Sequence, residues 1–305
     1  MKKSTISSAV LLTLFSGSTL AATVYKDDAS ELKIGGRAEA RFNVSDNNED
    51  ANNSTFKDKS RARVNLKGKT QLDDTLYGFG KYEAEMDTDE DITNRYVFAG
   101  LGGAFGAVSY GKQDSAQVQI TDLTDTMATF GADAADLVAG NKDKRENNFF
   151  YSGEFNNLTI QANYIAAREK DGDSYGMSGL YAFDFGLKLG AGYVAQDTAD
   201  DTDSQFNLAA EYKVQALTLA ALYGIGSIAD EDATAIEASA KYKIGKTTLV
   251  AVYNYQEIDD TDTEDNFAVE AVYKFNGNLR TYAGYKFEQI DNLDDQLQAG
   301  IRYDF

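Results

Sequence analysis

Hydrophobic and polar residues alternate one for one along most of the chain. In the segment 296–305, Leu297, Ala299, Ile301, Tyr303 and Phe305 alternate with Gln298, Gly300, Arg302 and Asp304. Phe267, Val269, Ala271, Tyr273 and Phe275 alternate with Ala268, Glu270, Val272 and Lys274, and Ile236, Ala238, Ala240, Tyr242 and Ile244 with Glu237, Ser239, Lys241 and Lys243. Further upstream, Arg61, Arg63, Asn65, Lys67 and Lys69 share one face, opposite Ala62, Val64, Leu66 and Gly68. Successive side chains of a strand point to opposite faces, so this pattern predicts strands with one apolar and one polar face.

Sixteen such strands are predicted, over 32–44, 59–72, 75–87, 93–101, 106–112, 147–154, 158–169, 174–183, 186–197, 204–214, 217–226, 234–243, 247–258, 266–275, 279–290 and 295–305. The links between them come in two kinds that take turns. Tight links such as Gln215-Ala216 and Gly245-Lys246 suit antiparallel hairpins. Longer acidic links run over Ser45 to Asp58, Asp197 to Asp203, Asp230 to Asp232, Asp259 to Asp265 and Asp291 to Asp295. Short turns at one end and long loops at the other are the organisation of a transmembrane barrel. The expected fold is therefore all-β, a sixteen-stranded antiparallel transmembrane β-barrel, with an even strand count that leaves both termini at the short-turn end. Tyr and Phe near strand ends, as in Tyr273/Phe275, Tyr285/Phe287 and Tyr303/Phe305, suit the membrane–water boundary.

One stretch breaks the rhythm. From Gln113 to Asn147 no alternation survives, yet Val118, Ile120, Leu123, Met127, Phe130, Leu137 and Val138 need something to pack against. A loop inserted into the barrel, the third external one, would satisfy them. Sixteen strands enclose a channel too wide for wall side chains alone to sieve small solutes. The segment 113–147 is thus the expected constriction loop, and it carries Asp122, Asp125, Asp133 and Asp136.

Composition narrows the chemistry. The 305 residues include no Cys, His, Pro or Trp, so thiolate and imidazole catalysis and most zinc, copper and haem sites are closed. No enzyme activity, metal or cofactor is expected. A formal net charge of -20 argues against nucleic acid as a partner, because counterion displacement from phosphates requires a cationic face. The mean hydropathy of -0.43 suggests a soluble protein, but a barrel averages its apolar outside with its polar inside. The absence of Pro suits a closed sheet without edges.

Residues 1–21 read as a secretory signal peptide. Met1-Lys2-Lys3 is positive, Ala9 to Phe15 apolar, and Ser18 to Ala21 ends in small residues, with cleavage expected before Ala22. Loss of Lys2 and Lys3 with that segment makes the remaining chain, 22–305, still more acidic. An exported chain without disulfides needs another device to hold it, and closure of a sheet is one.

Several motifs together carry a resemblance to a known family: Ile34-Gly-Gly-Arg37, the run from Ala62 to Gln71 (ARVNLKGKTQ), Asn94 to Leu101 (NRYVFAGL), Thr129 to Asp133 (TFGAD) and Ala299 to Phe305 (AGIRYDF). On these, and on Ala22 to Asp27 (ATVYKD), 22–305 resembles the general diffusion porins of Gram-negative outer membranes. The resemblance implies a homotrimer in the cell outer membrane, in contact with outer-membrane lipids and lipopolysaccharide, passing small hydrophilic solutes and ions. It also implies a ladder of basic wall residues facing an acidic third loop. By motif the ladder falls on Arg37, Arg63 and Arg95, with Arg145 before the next strand, and Arg41 and Arg61 sharing faces as auxiliaries. The acidic side maps to Asp125 and Asp133, with Asp122 and Asp136 nearby. Thr129 stands where the family has a carboxylate, and Ala128 where it has Pro.

The residues support part of this independently. Arg facing lipid costs about 2–4 kcal/mol at the bilayer midplane, so an alternating strand must turn it inward. The expected function is passive diffusion with weak cation preference, set by local potential rather than by binding. Alternatives are a substrate-selective channel, for which the absence of Trp removes the strongest aromatic slide, and an outer-membrane protein acting in adhesion or host-factor recognition through its loops. Divalent-cation binding at Asp259 to Asp265 lacks the spacing of a calcium loop.

Overall fold

The structure, a computed structural model, describes residues 21–88, 91–132, 134–199 and 201–305. The signal segment, apart from Ala21, therefore lies outside the described residues. Among the described residues, eighteen strands form one sheet. They are β1 (Ala22–Lys26), β2 (Ser30–Val44), β3 (Phe56–Asp58), β4 (Arg61–Gln71), β5 (Leu76–Asp87) and β6 (Ile92–Gly103). β7 (Gly106–Gln113), β8 (Arg145–Phe155), β9 (Leu158–Ile165), β10 (Ser174–Ala182), β11 (Leu187–Asp197) and β12 (Thr202–Val214) follow. β13 (Leu217–Ile228), β14 (Glu231–Ile244), β15 (Thr247–Ile258), β16 (Thr261–Lys274), β17 (Leu279–Glu288) and β18 (Gln296–Asp304) complete it.

Closure runs through β18 and β2, which pair antiparallel from Leu297↔Val44 to Asp304↔Arg37. Two backbone hydrogen bonds between Gly36 and Phe305, 2.9 and 3.0 Å, extend that seam to the last residue. Below it, β1 takes over the same edge of β2, pairing Ala22↔Ile34 to Lys26↔Glu31. β1 thus continues the lane that β18 leaves. In the same way β3 pairs with the upper part of β2 and β4 with the lower part, so β3 and β4 share a lane across Lys59-Ser60. Eighteen strands therefore fill sixteen lanes, and each of the sixteen strands expected from the alternation has its counterpart. The two short ones, β1 and β3, are too brief for a periodic signal.

Burial alternates in the sense opposite to that of a water-soluble sheet. Through the middle of β16, Phe267, Val269, Ala271 and Tyr273 are exposed, while Ala268, Glu270 and Val272 between them are buried. Apolar side chains line the outside as lipid requires, and polar ones face a crowded interior. Outward aromatic rings form one band near the terminal end, with Tyr181, Tyr212, Tyr242, Tyr273 and Tyr303. A second band lies toward the other end, with Tyr164, Tyr193, Phe206, Phe267 and Phe287.

Loop lengths correct the sequence reading in one respect. Asp259 to Asp265 and Asp230 to Asp232 are not long acidic loops: β15 ends at Ile258 and β16 starts at Thr261, and β13 ends at Ile228 and β14 starts at Glu231. The two-residue turns have positive φ throughout, 51° and 53° at Asp259 and Asp260, 53° and 67° at Ala229 and Asp230. Paired positive φ gives the turn whose twist matches a hairpin, and Asp tolerates it. The carboxylates that followed each turn belong to strands. The longest interruption remains the one between β7 and β8.

Candidate solute pathway

The loop between β7 and β8 enters the barrel and is fastened to one side of its wall. A single short helix, α1 (Val118–Thr121), opens it. Ile120, Leu123 and Ala135 pack on Ala209, Ala220 and Leu222 of β12 and β13. Ala132 and Met127 meet Val250 and Val252 of β15, and Leu137 meets Ala233 and Ala235 of β14. These wall positions are inward-facing yet apolar, a local reversal that the loop makes necessary.

Two wall glutamates pin the loop backbone. Glu237 accepts the Ala135 N–H at 2.8 Å and the Thr124 hydroxyl. Glu270 accepts the Ala128 N–H at 2.9 Å and the Thr129 N–H at 2.7 Å. A carboxylate accepting N–H groups makes hydrogen bonds roughly twice as strong as a neutral acceptor does. The approach is close at two wall glycines. A Cβ on Gly284 would lie 2.5 Å from the Thr129 hydroxyl, and one on Gly190 would lie 2.6 Å from Ile120 Cδ1.

The expected basic residues largely gather on the opposite wall. Arg37 of β2 stands directly across from Arg63 of β4, with Glu85 of β5 next in the row. Arg95 reaches the same face through a bulge, where β6 gains a residue against Glu83 and Ala84. Without it Arg95, two residues before the outward-facing Val97, would point to lipid; the inserted residue lets Arg95 and Tyr96 both face inward.

The ladder is interleaved with carboxylates. Glu39 binds Arg61 at 2.7 Å and Arg37 at 3.6 Å, and accepts the Tyr282 hydroxyl at 2.8 Å. Glu85 pairs with Arg63 and lies 3.7 Å from both Arg61 and Arg95, while Glu83 holds Arg95 at 3.0 Å and Lys81 at 3.5 Å. Arg41 stands apart, donating to Gln298 at 2.9 Å. Arg145, opposite Gln113, is also separate and interacts with Asp136 of the loop.

On the acidic side, Asp122 closes α1 and lines a cavity of about 540 Å³ together with Arg63, Arg95, Lys67, Lys81 and Asp114. Its carboxyl is accessible to water but crowded by the lumen. Loss of hydration, then the charges of Asp114 and Asp125, push it up to about 7, against the pull of Lys144. Lys144, at the loop's end, is drawn down to about 8 by the same crowding and by Arg95 and Arg63. Asp125 is exposed and Asp136 half-buried. Asp133 lies outside the described residues.

Asp114 adds a carboxylate beyond the expected acidic set. It accepts the Tyr96 hydroxyl at 2.9 Å and the Lys144 N–H at 3.0 Å, joining loop to ladder. Glu39, Glu83, Glu85 and Lys81 lie outside the family motif, although period two places Glu39 between Arg37 and Arg41 and the other three on one face of β5.

A closed sheet with charged side chains along its interior is suited to be a conduit, and its relatives agree. A model of the Gram-negative porin family matches residues 7–293. The chain belongs to the Gram-negative porins. Outer membrane protein U of Vibrio cholerae is 40% identical over 95% of this porin and 92% of that protein. Porin-like protein L of Photobacterium profundum is 36% identical over the full length of both. Among solved structures, the Salmonella typhi OmpF complex with daunomycin superposes with a TM-score of 0.83 at 20% identity, covering 93% of this chain and all of that one. The trimer form of Vibrio cholerae OmpT gives 0.74 at 20% identity, covering 91% of this chain and all of that one. As a porin of the outer membrane, the protein is a channel for passive diffusion, and it catalyses no reaction.

Proposed function

We propose that this porin passes small hydrophilic solutes and ions with a weak preference for cations. The loop 113–147 acts as the constriction in this reading, and the porin assembles as a homotrimer embedded in outer-membrane lipid and lipopolysaccharide. The observation that carries it is the loop itself, fastened by Glu237 and Glu270 against one wall while Arg37, Arg61, Arg63 and Arg95 line the other. Solutes must cross the field between Asp122 and that ladder. Because Glu39, Glu83 and Glu85 offset most of the ladder, the net field is modest, and the acidic outer ends of the strands tip it toward cations.

Signal-peptide removal before Ala22 belongs to the same reading. Liposome swelling with neutral sugars of increasing size tests the diffusion claim. Rates should fall smoothly with size and rise linearly with concentration. Saturation for one sugar would favour the substrate-selective alternative. Three equal closing steps per inserted unit in planar bilayers support the trimer, and single steps would reject it.

A further inference from the structure

Beyond the diffusion pathway, the inner end of the lumen carries a cationic cluster that the constriction does not use. We propose that Lys213, Lys241, Lys243, Lys274, Arg280 and Arg302 form a binding site for a small multivalent phosphate-type oxyanion, which plugs the pore from the end that bears the termini.

All six lie on β12, β14 and β16–β18 and line one cavity of about 620 Å³, roofed by Thr126, Met127 and Ala128 of the inserted loop. They face the lumen, since their strand neighbours Tyr212, Tyr242, Tyr273 and Tyr303 face lipid. The register sets Lys274 directly opposite Arg280, and Arg280 directly opposite Arg302, giving three cations in one row on adjacent strands. Neighbouring strands lie about 4.8 Å apart. Lys213 and Lys241 flank Thr218 from either side, and Lys243 follows Lys241 on the same face.

Like charges directly opposite one another in a sheet are destabilising. Among the described residues, Asp304 is the carboxylate that holds this row, 2.9 Å from Arg280 and 2.6 Å from Arg302, while Glu39, opposite Arg302 in register, is taken up by Arg61, Arg37 and the Tyr282 hydroxyl. Glu270, at the cavity's edge, is engaged by the loop backbone, and nearby Glu211 by Lys188 at 2.9 Å. Among the described residues Lys213, Lys241 and Lys243 make no ion pair, and Lys274 is attracted by Asp304 only from beyond ion-pair distance, in competition with Arg280 and Arg302. An anion with several negative oxygens would relieve the repulsion, and the two guanidinium forks suit phosphate geometry. The cavity's size matches a small ligand. An occupant would sit directly under the constriction loop. The opposite mouth is ringed by Asp201, Asp230, Glu231, Asp259 and Asp260, which repel the same anion.

The test uses inorganic tripolyphosphate with the full barrel in planar bilayers, added to one chamber at a time in low KCl. The proposal expects current block from one side only, and at least a tenfold weaker block in the K213Q/K241Q/K274Q variant with open-channel conductance within about twofold of the parent. Equal block from both sides, or unchanged block in the variant, would overturn it. If the triple variant does not assemble, K243Q/K274Q with the same readout replaces it. Titration calorimetry of tripolyphosphate into the detergent-solubilised parent barrel should show binding that salt weakens, and absence of heat together with absence of block also rejects the site. Failure to conduct KCl at all would instead count against the channel assignment.

Discussion

Glu39 shows how much of the pathway depends on single side chains. It is 4% exposed and serves Arg61, Arg37 and Tyr282 at once. Glu39→Gln removes the charge that two arginines share, and thermal unfolding followed by circular dichroism should show a loss of about 1–3 kcal/mol. That is less than a dry-core pair would lose, because Arg61 keeps contact with water. Asp122 gives the pH dependence. Its folded-state pKa is raised to about 7, so the carboxyl is neutral below that pH and charged above it. The shift favours the protonated form in the fold, so Asp122 takes away stability as pH rises from the ordinary carboxylate range through 7. Lys144, lowered to about 8, loses its charge over the neighbouring interval, so both groups make the lumen more negative as pH rises. Cation preference should therefore increase between pH 6 and 9, and Asp122→Asn should flatten the lower half of that rise in reversal-potential measurements.

At the scale of elements, strands were legible in the chain and their long-range attachments were not. Alternation located all sixteen lanes because lipid on one side and water on the other impose period two over ten residues or more. The same period puts Arg37, Arg61 and Arg63 on the polar faces of their strands. Arg95 reaches the ladder only through a bulge, which period two cannot foresee and which the family motif supplied. The acidic turns differ from the loops that composition suggests because Asp259-Asp260 and Ala229-Asp230, at positive φ, make two-residue hairpins. Glu237 and Glu270 fell on the polar faces of their strands, but their partners lie 102 to 142 residues away, so no local pattern could reveal them as anchors of the loop. That anchoring makes a specific claim about the loop as a unit. Glu237→Gln with Glu270→Gln weakens the acceptors that hold it, and single-channel recordings should show larger or noisier open current than the parent. Gly284→Val should do the same by steric displacement at Thr129. An unchanged, quiet conductance in both variants would mean that the loop does not set the open current.

Taken as a whole, the barrel has opposite charge at its two ends, carboxylates around the outer rim and lysines and arginines around the inner vestibule. Cations entering through the acidic end and anions through the basic end accumulate together, so at low salt the current should be larger when the outer chamber is positive. Screening shortens the reach of these charges to about 10 Å at 0.1 M salt, and the asymmetry should fade as salt rises. Between the two ends, the arginine ladder is largely offset by its own glutamates, which leaves selectivity to the sum of many charges rather than to one site. The zero-current potential across a tenfold KCl gradient reads that sum directly. A lumen arranged in this way gives a small potential of the sign produced by K⁺ moving down its gradient, diminishing at higher salt. A potential of the opposite sign, or a large one indifferent to salt, would contradict it.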